Sequence, residues 1–186
     1  MVDVKDSIRI ENVVASVTLN QRFDLNAIVK SNPGVEYNPK RFPGLVFRLK
    51  KPKTAILIFS TGKMVCTGAK SEKKAKQAVL KVVKELKNSG IIILGKPEIK
   101  VVNMVASADL SGRIKLEEVA YSLDRTMYEP EQFPGIIYRM DEPKVVILLF
   151  SSGKIVCTGA TKEEDVYTAV DKLHKNLEEK ELIFYE

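Results

Sequence analysis

The distribution of apolar and polar positions along Arg9–Thr18, and again along Lys100–Ala108, reads as a β-strand rich in valine. Leu25, Ile28 and Val29 follow Asp24 at helical spacing, with Asp24 placed to cap a short helix; a second such segment carries Leu116, Val119, Ala120 and Leu123. Three β-rich runs come next, Gly44–Leu49, Thr54–Phe59 and Lys63–Gly68, separated by Pro52 and by the turn Ser60-Thr61-Gly62. Ala75, Ala78, Val79, Val82, Val83 and Leu86 then repeat at helical spacing, with Ser71 as N-cap and Gly90 as a stop. A last helix is expected to put Val166, Ala169, Val170, Leu173 and Leu177 on one face, with Thr161 and Glu164 spaced as a capping box.

These elements occur twice because the chain is duplicated. Asn12-Val13-Val14-Ala15-Ser16 returns as Asn103-Met104-Val105-Ala106-Ser107, and Phe42-Pro43-Gly44 returns as Phe133-Pro134-Gly135. The segment 60–69, with Ser-Gly or Thr-Gly before Lys and then Cys-Thr-Gly-Ala, returns at 151–160. Every pair is separated by the same 91 residues, so the copies align without gaps. The expected organisation is a first repeat over 1–95 and a second over 96–186, each an α+β unit of strand, helix, antiparallel strands and helix.

The strands carry more apolar surface than these helices can cover. In Ile56-Leu57-Ile58-Phe59, and again in Ile147-Leu148-Leu149-Phe150, both faces are apolar. With the helices on one face, the other should present Asn12, Val14, Ser16, Leu57, Phe59, Val65 and Thr67. Its copy should present Asn103, Val105, Ser107, Leu148, Phe150, Val156 and Thr158. An apolar surface with a few short hydrogen-bonding groups suits a nucleic-acid minor groove, which offers only acceptors over A·T pairs and admits apolar wedges between base steps. Arg48, Lys63, Arg139 and Lys154 are the candidates for phosphate contact at its rim.

Composition narrows the field. The 186 residues are 45% hydrophobic and 29% charged, which excludes a disordered chain. No apolar run approaches the roughly 18–20 residues of a membrane span, and the N-terminus lacks the apolar core of a signal peptide. Two cysteines without export signals suggest free thiols in a reducing, intracellular compartment. The net charge of +6 points mildly to a polyanionic partner, and it is unevenly shared. Residues 1–95 hold 18 Lys and Arg against 7 Asp and Glu, whereas residues 96–186 hold 12 against 17. Much of the excess sits on the helix after Ser71, which could meet flanking DNA or an acidic partner.

Catalysis is not expected. The residues 60–63 have the composition of a phosphate loop but not its spacing, and no nucleophile, base and orienter come together. There is no CxxC, and His174 is the single histidine, so metal, redox and cofactor roles are set aside. Two other classes stay open: a carrier of an apolar ligand, and an interaction scaffold that uses the open sheet face.

The duplicated motifs resemble the TATA-box-binding protein family in its minimal, archaeal-type core form. The resemblance rests on Tyr37-Asn38-Pro39-Lys40-Arg41-Phe42, on Glu129-Pro130-Glu131 before Gln132-Phe133-Pro134-Gly135, on Ser152-Gly153-Lys154, and on Cys-Thr-Gly-Ala in both copies. It spans nearly the whole chain, and the absence of a long N-terminal extension fits the archaeal form. The resemblance implies a ten-stranded antiparallel saddle with helices on the convex side. Phe42, Phe59, Phe133 and Phe150 would be intercalating wedges. Asn12, Asn103, Thr67 and Thr158 would hydrogen-bond bases, and Val14, Val65, Val105, Val156, Leu57 and Leu148 would touch the groove floor. Glu129, Glu131 and Gln132 would contact transcription factor B, which brings RNA polymerase indirectly. Double-stranded promoter DNA would be the main ligand, with a homodimer conceivable for the free chain. The location would be the cytoplasm, on the nucleoid in an archaeon, or the nucleus in a eukaryote.

Overall fold

The computed structural model describes residues 3–186; Met1 and Val2, the start of the expected first repeat, lie outside the described residues. The chain forms two compact units. Residues 12–102 make one, and residues 103–186 together with the stretch up to Glu11 make the other.

The first unit contains most of β1 (Arg9–Thr18), then α1 (Leu25–Ser31), β2 (Leu45–Lys50), β3 (Lys53–Ile58), β4 (Lys63–Ala69) and α2 (Glu72–Asn88). Its strands pair antiparallel in the order β2-β3-β4-β1. One face is closed: Val13, Ala15 and Val17 of β1, Ile56 and Ile58 of β3, and Met64 and Cys66 of β4 are all buried. The helix α2 lies on β3 and β4 and buries the six apolar positions expected from its spacing. Each large aliphatic side chain fully buried there contributes about 1.5–3 kcal/mol. Both expected caps form. Asp24 accepts from the Ala27 N–H at 3.2 Å, and the Ser71 hydroxyl accepts from the Lys74 N–H at 3.1 Å. The Asn32 amide at the end of α1 donates to Ser89 Oγ at the end of α2, 3.1 Å away, which ties the two helices together.

The second unit opens with a 3-10 turn (Val4–Ser7), takes most of β5 (Glu98–Asp109), and continues through β6 (Arg113–Ile114), α3 (Leu116–Ser122), β7 (Thr126–Met127), β8 (Ile136–Met140), β9 (Val145–Leu149), β10 (Lys154–Ala160), α4 (Glu163–Glu179) and β11 (Ile183–Phe184). Its main sheet has the order β5-β10-β9-β8-β7, while β6 and β11 pair separately. The long helix α4 packs on β10 and on the 3-10 turn. The same α+β arrangement is thus built twice. The remaining strand of the first unit shrinks to a single bridge, Glu36 with Val46, at the positions where Met127 pairs with Ile137.

One local expectation is corrected. Thr161 and Glu164 do not form a capping box: the cap position of α4 is Lys162, which makes no side-chain cap bond. The helix instead carries Glu163, Glu164 and Asp165 in its first turn, where three carboxylates complement the positive end of the helix dipole.

Candidate nucleic-acid interface

Each unit leaves the sheet face opposite its helices open. In the first unit the register lines up Val46, Leu57, Val65 and Ser16 across four strands. In the second unit Ile137, Leu148, Val156 and Ser107 line up in the same way. All eight are half-buried, whereas their sequence neighbours on the helix side are buried, Tyr138 beside Ile137 excepted. Alternation along each strand gives this face its composition, and no helix of the same unit covers it.

The asparagines are fixed by an irregularity in the sheet. The pairing of β1 with β4 shifts register between Val13 and Ala15, and that of β10 with β5 shifts between Thr158 and Ala160. At each shift stands a glycine with positive φ, Gly68 at 96° and Gly159 at 101°. The backbone N–H of Gly68 donates to Asn12 Oδ1 at 2.7 Å, and that of Gly159 donates to Asn103 Oδ1, also at 2.7 Å. Asn12 Nδ2 then donates to Thr67 Oγ1 at 3.2 Å, and Asn103 Nδ2 to Thr158 Oγ1 at 3.3 Å. The carbonyl end of each amide is occupied by the strand itself, so the end presented outward is the NH₂ donor.

The phenylalanines form two pairs. Phe42 and Phe59 meet edge to face, with ring centroids 5.8 Å apart and planes at 72°; Phe133 and Phe150 repeat this at 5.7 Å and 68°. The pairs depend on glycines. A Cβ on Gly44 would come within 2.8 Å of Phe42 Cε1 and 2.9 Å of Phe59 Cε1. On Gly135 it would meet Phe150 Cε1 and the Leu149 carbonyl at 2.9 Å and Phe133 Cε1 at 3.0 Å. Phe42 is 39% exposed despite its partner, so an apolar ring edge faces outward.

This duplicated face can be set beside known proteins. The family model described as "Transcription factor TFIID (or TATA-binding protein, TBP)" matches residues 7–89 and again residues 98–180. The chain belongs to the TATA-binding protein family. The TATA-box-binding protein of Pyrodictium occultum is 56% identical over 93% of this chain and 87% of its own length. That of Sulfolobus acidocaldarius is 54% identical over 94% and 89%. The solved structure of Methanococcus jannaschii TBP superposes with a TM-score of 0.84 at 48% identity, covering 93% of this chain and 99% of that one.

The other positions singled out in the sequence of this TATA-binding protein family member fall as follows. Val14 and Val105 sit between buried neighbours, Thr67 and Thr158 follow the buried Cys66 and Cys157, and all four lie on the open side of their units. Arg48, Arg139, Lys63 and Lys154 are exposed and share the strand parity of the open face. Arg48 makes a 3.4 Å pair with Glu36, both side chains about two-thirds exposed, a contact of small energetic weight. Glu129, Glu131 and Gln132 are exposed on a tight turn in which the N–H groups of Gln132 and Phe133 both donate to the Glu129 carbonyl at 2.9 Å. That turn links any contact made there to the position of Phe133. Cys66 and Cys157 are buried under the helices, and burial pushes each thiol up to about 11. His174 lies at the edge of α4, its Nε2 2.8 Å from the Tyr185 hydroxyl and 3.2 Å from Glu178.

Sequence reasoning missed four contributors to this surface. Val46 and Ile137 complete the apolar rows, and the alternation within 44–49 could have revealed the first of them. Gly44 and Gly135 read as turn residues, yet their role is to leave room for the phenylalanine rings.

Proposed function

We propose that this chain is a TATA-box-binding transcription initiation factor. It binds A/T-rich promoter DNA through the minor groove, bends the duplex, and recruits transcription factor B and, through it, RNA polymerase. The observation that carries the reading is the outward NH₂ of Asn12 and Asn103, locked by Gly68 and Gly159 on otherwise apolar faces. The floor of the minor groove over A·T pairs presents only adenine N3 and thymine O2, which are acceptors, and a donor without freedom to turn matches them. The names of the relatives support the same ligand.

The apolar rows supply contact area without charge, and the phenylalanine pairs supply wedges. Phe42 with Phe59, and Phe133 with Phe150, enter between base steps, each pair serving one half of the site. Unstacking is cheapest at pyrimidine–purine steps such as TA, so part of the selectivity lies in the deformability of the DNA. Arg48, Arg139, Lys63 and Lys154 take phosphates, which position the duplex without reading it. Glu129, Glu131 and Gln132 offer an exposed turn to transcription factor B. In the absence of DNA, a second copy is the natural competitor for so apolar a face.

The test is a fluorescence-transfer bending assay on end-labelled duplexes, one with a TATA-like element and one scrambled and G/C-rich. A change confined to the TATA duplex is expected. No change on either, at low salt and micromolar protein, would refute the reading and leave the open faces to a protein or a lipid.

A further inference from the structure

The two long helices are equivalent by the duplication, yet their charges are opposite. At the offset of 91 residues Lys73 stands against Glu164, Lys74 against Asp165 and Lys87 against Glu178. Over Glu72–Asn88, α2 holds six lysines and two glutamates, a net charge of +4. Over Glu163–Glu179, α4 holds six acidic residues and two lysines, a net charge of −4. At 3.6 residues per turn Lys73, Lys84 and Lys87 share one stripe with Leu80, opposite the six buried positions of α2. All four are exposed, Leu80 at 54%. Glu164 and Glu178, both exposed, hold the same places on α4 as Lys73 and Lys87 on α2.

The stability of each helix does not account for the pattern. Lys73 and Lys74 lie in the first turn of α2, and Glu178 and Glu179 in the last turn of α4, where each opposes the dipole of its own helix. Among the described residues, Lys73, Lys74, Lys84 and Lys87 enter no salt bridge, and neither do Glu163, Glu164 and Asp165. Glu178 also faces His174 and Tyr185, and Glu179 faces Lys175, without cancelling the negative sign of that end. We propose that α2 of one copy docks antiparallel on α4 of a second copy. Lys84 and Lys87 then meet Glu164 and Asp165, and Lys73 and Lys74 meet Glu178 and Glu179. The antiparallel direction also sets the two helix dipoles against each other favourably. The contact uses neither open sheet face and does not depend on what those faces bind. It runs along about 21 Å of helix, well short of a standard interface, so it is weak, reversible and held by charge.

Sedimentation equilibrium of the full chain without DNA measures the association at about 10 mM and about 1 M salt, where charges act over about 30 Å and about 3 Å. The association constant should be at least about tenfold larger at the lower salt. K73E/K87E and E164K/E178K each give one helix the charges of its counterpart, and each variant alone should lose the association. Mixed in equal amounts they should regain it, because each supplies the sign that the other lacks. K30E/K96E has the same net charge as K73E/K87E but leaves α2 untouched, and it should associate as the parent does. Melting temperatures confirm that the variants fold.

Cross-linking reads the direction. Chains carrying K74C and E179C, mixed and oxidised, should form a disulfide-linked pair faster than K74C with D165C, because only the antiparallel contact brings Lys74 to the Glu179 end. The native thiols are buried and do not compete. A chain that stays monomeric at low salt would overturn the proposal, as would an association that strengthens with salt, which would belong to the apolar open faces instead. Loss of association in K30E/K96E would reduce the effect to net charge and overturn it too. Faster cross-linking of K74C to D165C would overturn the antiparallel contact.

Discussion

Replacing Gly44 with Ala isolates the geometry of one phenylalanine pair from the stability of the fold. The added methyl would sit 2.8 Å from Phe42 Cε1 and 2.9 Å from Phe59 Cε1, inside any tolerable contact, but no backbone atom stands among its nearest neighbours. Relief must come from the rings, and Phe42, at 39% exposure, is the one free to swing. What is lost is the edge-to-face contact, about 0.5–1.5 kcal/mol. If that contact presets the wedge, the lifetime of the bent complex should fall about two- to twelvefold, since every 1.4 kcal/mol is a factor of ten. Strain relieved at the surface should cost the fold less than about 1 kcal/mol, or about 2–4 °C in melting temperature for a chain of this size. The assay pairs thermal melting with dissociation of the bent complex, followed by energy transfer. A G44A chain that melts normally and holds bent DNA for as long as the parent would refute the idea that the pair presets the wedge. Gly135→Ala is the harsher substitution, because the Leu149 carbonyl at 2.9 Å blocks one escape, and it should lose stability as well as lifetime.

Three further outcomes follow from the site and the fold. Asn12→Asp keeps an oxygen for the Gly68 N–H but replaces the outward donor with an acceptor. It should melt within about 3 °C of the parent, roughly 1 kcal/mol, and bind A/T duplex at least about tenfold more weakly; undiminished affinity would show that the amide reads nothing. Removing Arg48, Arg139, Lys63 or Lys154 should lower the slope of log affinity against log salt by about 0.9 for each cation lost, and an unchanged slope in titrations from low to moderate salt would remove that residue from the phosphate contacts. Ser71→Ala should cost about 1 kcal/mol by uncapping α2, whereas Thr161→Ala should leave denaturant midpoints unchanged because α4 begins after Lys162 without it; equal effects would contradict the cap assignments.

The repeat made most of this fold legible before any coordinates. A constant spacing of 91 residues halves the problem, since each element is read twice and an error in one copy shows in the other. Arg9–Thr18 is found at the expected limits, and the long helix expected after Ser71 runs from Glu72 to Asn88. What sequence could not show was set by tertiary geometry or by length. Two-residue strands such as β6, β7 and β11 are too short to express a period. Thr161 and Glu164 had the spacing of a capping box, but the helix starts one residue later than that motif requires. The asparagines were legible as polar residues among apolar ones. That their carbonyls answer glycine N–H groups depends on a register shift that no local pattern announces.

That register shift has a consequence for how the surface refuses ligands. An amide side chain usually turns over at little cost, swapping its oxygen for its nitrogen to suit whatever arrives. Here a half-turn of Asn12 would set NH₂ against the Gly68 N–H and lose that hydrogen bond, a penalty of about 0.5–1.5 kcal/mol. Asn103 faces the same penalty at Gly159. A duplex that places guanine amino groups beneath these amides meets hydrogen against hydrogen at two points, and the protein has no inexpensive way to adapt. On the proposed reading, much of the selectivity would then be intolerance, written into the sheet by the two glycines that hold the amides.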